Sequence, residues 1–245
     1  MFFKRSAGNR FIFIFSPFLI LLLILVIWAV APYLSSSIIF SFSLITTITI
    51  LRFGVYPLIL SGWSSNRNYS IIGGIRGVAQ TVSYEIRFAL IILVLASYYF
   101  RLKTSLIVLK NIGLFLLLVA PFLFVFWFVS LLAESNRTPF DFAEGESELV
   151  SGFNIEYGAG GFVLIFMAEY GMILFLRTIT RSLFLITSTS LLHRAGVTLI
   201  VFLWVWARAT FPRYRYDLLI DLAWKRILPI SLGMLLLFSS VAFTI

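Results

Sequence analysis

The stretch FIFIFSPFLILLLILVIWAVAPYLSSSIIFSFSLITTITIL, Phe11 to Leu51, contains no charged residue. A helix crossing the hydrocarbon layer of a bilayer needs about 20 mostly apolar residues, and this run has about twice that length. Pro32 and the Ser35–Ser37 run divide it, so it reads as two spans, 11–31 and 38–60. Working outward, five further apolar runs follow at 78–100, 112–133, 161–183, 187–207 and 227–245. The expected fold is all-α, a polytopic transmembrane helix bundle of about seven spans in a single membrane domain, 1–245. A β-barrel would alternate with period 2 in segments of about ten residues, and these runs are continuous. Lys4, Arg5 and Arg10 precede the first run as in a signal peptide. The run is too long for a signal h-region and has no small-residue cleavage site before Pro32, so it reads as a retained helix.

Composition points the same way. Of 245 residues, 61% are hydrophobic and 12% charged, too few polar side chains to clothe a soluble domain, and 27 Phe exclude disorder. With no Cys there is no disulfide framework, thiolate metal site or iron–sulfur ligation by this chain, and one histidine, His193, cannot supply two haem imidazoles. The net charge of +9 is scattered between apolar runs, which suits lipid headgroups rather than nucleic acid.

Loop charges orient the bundle, because cytoplasm-type inside loops carry the excess of Lys and Arg. With the N-terminus inside, the inside segments hold Lys4, Arg5, Arg10, Arg67, Arg76, Arg137, Arg208, Arg213, Arg215, Lys225 and Arg226. The outside segments hold Arg101, Lys103, Lys110, Arg177, Arg181 and Arg194. Eleven against six favours the N-terminus inside and the C-terminus outside.

The acidic residues are less evenly spread. Glu134, Asp141, Glu144, Glu146, Glu148 and Glu156, six of the ten, lie on one inside loop, 134–160. A solvated acidic loop is the plain alternative, but Phe140, Phe142, Leu149, Val150, Phe153 and Ile155 give this loop apolar surface to bury. Thr138 as N-cap, Pro139 at the first helical position and Asp141 as capping acid predict a helix start. The glycines from Gly145 to Gly161 permit sharp turns. Carboxylates held against protein and against one another are pushed upward in pKa and can exchange protons near neutrality. A proton relay needs that behaviour; a cation vestibule would use it too.

Within or near the spans lie Glu85, Arg87 and Glu169, and intramembrane ionisable groups are functional candidates. A salt bridge of Glu85 with Arg76 or Arg87 is the structural alternative. Arg52 lies close enough to the inside surface to snorkel and is assigned no role. The segment Arg208 to Asp217 interleaves Arg208, Arg213 and Arg215 with aromatic rings, either as a headgroup anchor or to pair with the acidic loop.

Three stretches carry a resemblance to a known family. These are Gly62–Asn66 with Arg76–Glu85; Ala133–Asp141 continuing through Glu144–Tyr157; and Arg208–Asp217 with Trp224–Lys225. They resemble chain 1 of respiratory complex I, the proton-translocating NADH:ubiquinone oxidoreductase, from about Phe11 to the C-terminus. The resemblance implies a membrane-arm subunit in the mitochondrial inner membrane, or in the plasma membrane of a bacterium. Such a subunit helps form the ubiquinone tunnel and the acidic mouth of the proton path. It also implies partners among the hydrophilic-arm and neighbouring membrane-arm subunits, with lipid and without nucleic acid. Ubiquinone would be a substrate, while NADH, flavin and iron–sulfur groups would reside on other chains, leaving this one without a cofactor, metal or catalytic residue of its own. Residue by residue, it implies a tunnel loop of Arg137, Phe140, Asp141, Glu144, Glu146 and Glu148. Glu85, Glu134, Glu156 and Glu169 would form the proton path, with Arg76, Arg208, Arg213 and Arg215 as charged lining.

The departures are specific. The family has eight spans, and its first helix and following basic inside segment have no counterpart here, so a separate polypeptide is expected to supply them. Arg52 is unusual for its span, and Gly196 stands where the family tends to carry a lysine, with Arg194 close by. A membrane subunit of a proton-pumping hydrogenase-type complex and a stand-alone cation transporter remain the competing readings.

Overall fold

The computed structural model describes residues 9–30, 43–99, 121–143, 145, 152–154, 156–184 and 190–244, with only the backbone at 98–99, 159, 190–197 and 241–244. Among them the order is α1 (Arg10–Ala29), α2 (Ser43–Phe53), α3 (Val55–Ser64), α4 (Asn68–Tyr99), α5 (Pro121–Glu134), a 3-10 turn (Gly152–Asn154), α6 (Ala159–Phe184), α7 (Ser190–Thr210), α8 (Tyr216–Asp221), a π turn (Leu222–Ile227) and α9 (Leu228–Thr244). No strand occurs among the described residues. Five helical stretches are long and apolar enough to cross a membrane: Arg10–Ala29, Ser43–Ser64, Asn68–Ser97, Gly160–Phe184 and Tyr216–Ser240; Pro121–Glu134 and Thr198–Thr210 are shorter apolar helices. The expected stretch 112–120 lies outside the described residues.

Two helix boundaries differ from the sequence reading, each for a local reason. The helix carrying the expected 78–100 span begins at Asn68, so Gly73, Gly74, Arg76 and Gly77 are helical. Those glycines sit where other chain segments press in. A Cβ on Gly73 would lie 2.9 Å from the Gly152 Cα, and one on Gly62 would lie 3.4 Å from the Gly74 Cα. The stretch read as 38–60 is divided at Gly54 and runs on to Ser64. Pro57 has no N–H for the carbonyl of Phe53, so the regular ladder is interrupted there. The Gly54 N–H closes a tight turn on the Leu51 carbonyl at 2.9 Å.

α4 is the hub, packing against α2, α3, α5, α9 and the 3-10 turn, while α6 packs against α1 and α7. Its core is aromatic. Trp127 stacks on Phe88 at 4.6 Å, meets Phe184 at 5.9 Å, and donates its indole N–H to the Thr180 hydroxyl at 3.1 Å. In lipid a bare hydroxyl is costly, so helical Ser and Thr return theirs to carbonyls one turn back. Thr47, Ser61, Thr81, Ser83, Ser130, Thr180 and Ser231 all do so.

Candidate functional site, an acid-lined crevice under a folded loop

The starts of α1, α4, α6 and α8 and the ends of α3, α5 and α7 meet at one end of the bundle, where the acidic loop packs. Glu134 is the last residue of α5. The helix closes behind it, with the Ser135 N–H on the Leu131 carbonyl and the Asn136 N–H on the Ala133 carbonyl. Asn136 takes φ 48°, a left-handed conformation that asparagine tolerates better than most residues. The chain then turns back under the bundle. Over 138–143 it forms turns, not the helix predicted from Thr138, Pro139 and Asp141, as the Phe140 N–H bonds the Arg137 carbonyl at 2.9 Å. Long-range contacts outweigh the capping signals. The buried Gln80 amide donates to the carbonyls of both Ala133 and Phe140, at 2.9 and 2.8 Å, stapling both sides of the turn to α4.

Arg137 is buried and reaches Glu169 on α6, Nη2 to Oε2 2.5 Å, with its guanidinium over the rings of Phe166 and Tyr170. Phe140 is buried between Tyr84 and Tyr214, ring centroids 6.2 and 5.9 Å away. Asp141 is half-buried at the loop surface. Glu144, Glu146 and Glu148 lie outside the described residues. Further on, Phe153 receives the Ser70 hydroxyl at its carbonyl, and Ala143 fills the space that the absent side chain of Gly77 leaves.

Glu156 pairs with exposed Arg67 at 3.1 Å on the rim. Beside it, Tyr157 stacks on Phe13 at 4.2 Å, sits 2.6 Å from the Ser16 hydroxyl and donates to the Phe13 carbonyl at 3.2 Å. Burial pushes the Tyr157 phenol up, opposed by its hydrogen bonds to Ser16 and Ser64. This anchor was not singled out from sequence, and neither was the Gln80 staple. Each joins residues too distant in the chain for local patterning to pair.

Glu85 and Glu134 are both buried and feel one another's charge. The structural alternative for Glu85, a salt bridge with Arg76 or Arg87, is not formed. Arg87 is wholly buried against the Tyr84 ring at 3.8 Å and donates to the Ser83 carbonyl, while Arg76 lies over the Tyr216 ring at 5.8 Å. The cation that acts on Glu85 is Arg52, the residue to which sequence gave no role.

The basic segment docks on the loop through aromatic faces. The Tyr214 N–H donates to the Pro139 carbonyl at 3.1 Å, and Arg213 lies over Phe142. Arg215 pairs with its own neighbour Asp217, and Arg208 is exposed.

A cavity of about 100 Å³ opens between α1, the α2–α3 break, α5 and α6, with apolar walls such as Ile24 and Pro57 and a polar floor of Thr81, Glu134, Ser135, Asn136 and Glu169. Sites for drug-sized ligands run to about 300–1,000 Å³, so this space suits several waters rather than a substituted ring and its tail. An apolar shaft ending on carboxylates can hold and move protons.

A bundle of helices long and apolar enough to cross a membrane, with an acid-floored crevice beneath a stapled loop, has the architecture of a polytopic membrane protein. A family model described as NADH dehydrogenase matches residues 3–239. Among curated relatives, NADH-ubiquinone oxidoreductase chain 1 of Aedes aegypti is 46% identical over 239 residues, covering 96% of this chain and 75% of the relative. The protein of the same name from Branchiostoma lanceolatum is 44% identical, covering 98% and 77%. That from Patiria pectinifera is 43% identical, covering 96% and 75%. The chain belongs to this family, the chain 1 subunits of complex I, and spans about three quarters of the length of these relatives.

Proposed function

We propose that this chain serves a proton-pumping NADH:ubiquinone oxidoreductase of the mitochondrial inner membrane, where it carries the acidic mouth of the proton path and the wall of the ubiquinone tunnel that adjoins it. The observation that carries the reading is the crevice whose floor holds Glu134 and Glu169, directly behind the loop bearing Arg137, Phe140 and Asp141. Glu134 couples electrostatically to Glu85, extending the acidic series from the loop toward the bundle centre. Glu156 stands at the rim, and Glu144, Glu146 and Glu148 belong to the same loop.

Reducing a quinone adds two electrons and two protons, so charge near its headgroup changes in each turnover. At an effective dielectric of about 20, a unit charge about 4 Å from a carboxylate alters their interaction by roughly 4 kcal/mol. That is enough to move a proton between neighbouring acids. The electrons arrive from other subunits; the part of this chain is to hold the proton acceptors and exclude bulk water around them. Arg76, Arg208, Arg213 and Arg215 line the loop side, with the loop facing the hydrophilic arm.

The variant Glu134→Gln keeps size and hydrogen bonding while removing titration. In the assembled complex it should lose quinone reduction and proton pumping but keep NADH oxidation by a hydrophilic artificial acceptor. Normal pumping in that variant would overturn the reading.

A further inference from the structure

Among the described residues, the end of the bundle away from the loop carries no Asp or Glu. Of the acidic residues described, Glu85 lies in α4, Glu169 in α6, Glu134, Asp141 and Glu156 along the loop end, and Asp217 and Asp221 in α8, whereas Arg177 and Arg181 lie toward the other end of α6. Arg177 and Arg181 are described there and half-buried on α6. The Nε–H of each is buried and has no acceptor among the described residues. α1 and α7, which pack against α6, contain no Asp or Glu. The acids of α6 itself and of α5, Glu169 and Glu134, lie toward the loop end, so the two guanidinium groups have no acidic partner among the described residues.

Their position on the helix says which anion fits. At 3.6 residues per turn, Val163, Met167, Tyr170, Leu174, Arg177 and Arg181 fall within a sector of about 80°. The first four are all exposed large side chains, so one face of α6 presents an apolar stripe that ends on the two arginines. At 1.5 Å per residue Arg177 lies roughly 27 Å along α6 from Ala159, close to the far edge of a hydrocarbon layer about 30 Å thick. Acyl chains match the stripe, and a phosphate at headgroup depth matches a guanidinium pair, which binds phosphate oxygens through several N–H groups at once.

We infer that Arg177 and Arg181 form a headgroup site for an anionic phospholipid, whose acyl chains lie along the Val163–Leu174 stripe of α6. An acidic segment of a neighbouring subunit would satisfy the charges but would leave the apolar stripe without a matching partner.

The test uses the intact complex reconstituted into phosphatidylcholine vesicles doped with a photoactivatable phosphatidylglycerol or, separately, a photoactivatable phosphatidylcholine. After illumination, peptides spanning Leu174–Phe184 are quantified by mass spectrometry. Two basic residues at an anionic surface should favour the phosphatidylglycerol probe by about 30-fold. The R177Q/R181Q variant should fall to the phosphatidylcholine level, and R177K/R181K should retain most of the preference. Should the glutamine variant fail to assemble, competition on the unaltered complex decides: unlabelled phosphatidylglycerol should displace the probe, and phosphatidylcholine should not. Equal labelling by both probes, displacement by inorganic phosphate, or zero-length crosslinking of this segment to a carboxylate of another subunit would each overturn the site.

Discussion

Arg137 and Glu169, 32 residues apart in the chain, are joined Nη2 to Oε2 at 2.5 Å beneath the bundle, with side chains 9% and 15% exposed. One lies in the loop and the other within α6, so the pair ties the loop to a spanning helix. Removing one partner breaks the tie between loop and helix, and breaking a buried pair costs about 3–5 kcal/mol. E169Q alone should therefore lower the thermal stability and abundance of the assembled complex. R137M combined with E169M should restore much of the loss. A double variant as unstable as the sum of its singles would argue against direct coupling.

Gln80 offers a test of the loop staple. Q80L leaves the carbonyls of Ala133 and Phe140 without their donor, at a cost of about 1–3 kcal/mol for each buried group. Hydrogen exchange over 137–143 should accelerate in the assembled complex while exchange across the centre of α6 stays unchanged. Uniform acceleration of both would mean that Gln80 supports the whole bundle instead.

Gly73 and Gly233 form a contrasting pair. A Cβ on Gly73 would meet the Gly152 Cα at 2.9 Å and the Ala143 carbonyl at 3.0 Å, whereas one on Gly233 meets nothing within 4 Å. G73A should displace the loop and depress quinone reductase activity several-fold, and G233A should leave it unchanged. Equal activities would show that the loop yields freely.

Tyr157 sets an alkaline limit. Its pKa is raised by burial, so the neutral phenol favours the folded state. That contribution is fully present below the ordinary tyrosine value of about 10 and is lost as pH rises through the higher folded value. Y157F should be less stable near neutrality, having lost the contacts to Ser16 and Phe13, and should lack this component of the alkaline decline. Thermal midpoints measured against pH would reveal it; parallel curves for the two proteins would exclude it.

Sidedness can be read directly, since the chain has no Cys. Cysteines replacing exposed Arg67 and Arg215 should react with an impermeant thiol reagent from the same face, and one replacing Ser105 from the opposite face. Labelling of all three from one face would refute the proposed orientation.

The helices were legible because their signal is long and redundant: losing one apolar residue from Phe11–Ala31 changes nothing in the reading. The loop was legible as acidic and folded, but its conformation was not. Pro139 after Thr138 has the backbone preference of a helix start and equally of a turn, and the choice falls to Gln80 and Tyr84, more than fifty residues earlier. Arg52 misled for a similar reason. Its place near the inside edge of α2 was a sufficient account until the fold brought Glu85 under its influence.

The π turn at Leu222–Ile227 lies just before Pro229 and fits one residue more into its ring than an α turn does. It therefore marks where this polypeptide can change length. Deleting one residue inside the turn would recover an ordinary α-helix while leaving α8 and α9 aimed as they are, and would keep Trp224, whose indole N–H donates to the Ser83 hydroxyl at 3.4 Å, or its neighbour on that side. The same deletion one turn earlier or later would swing everything downstream by about 100° and turn the side of α9 that packs on α4 away from it.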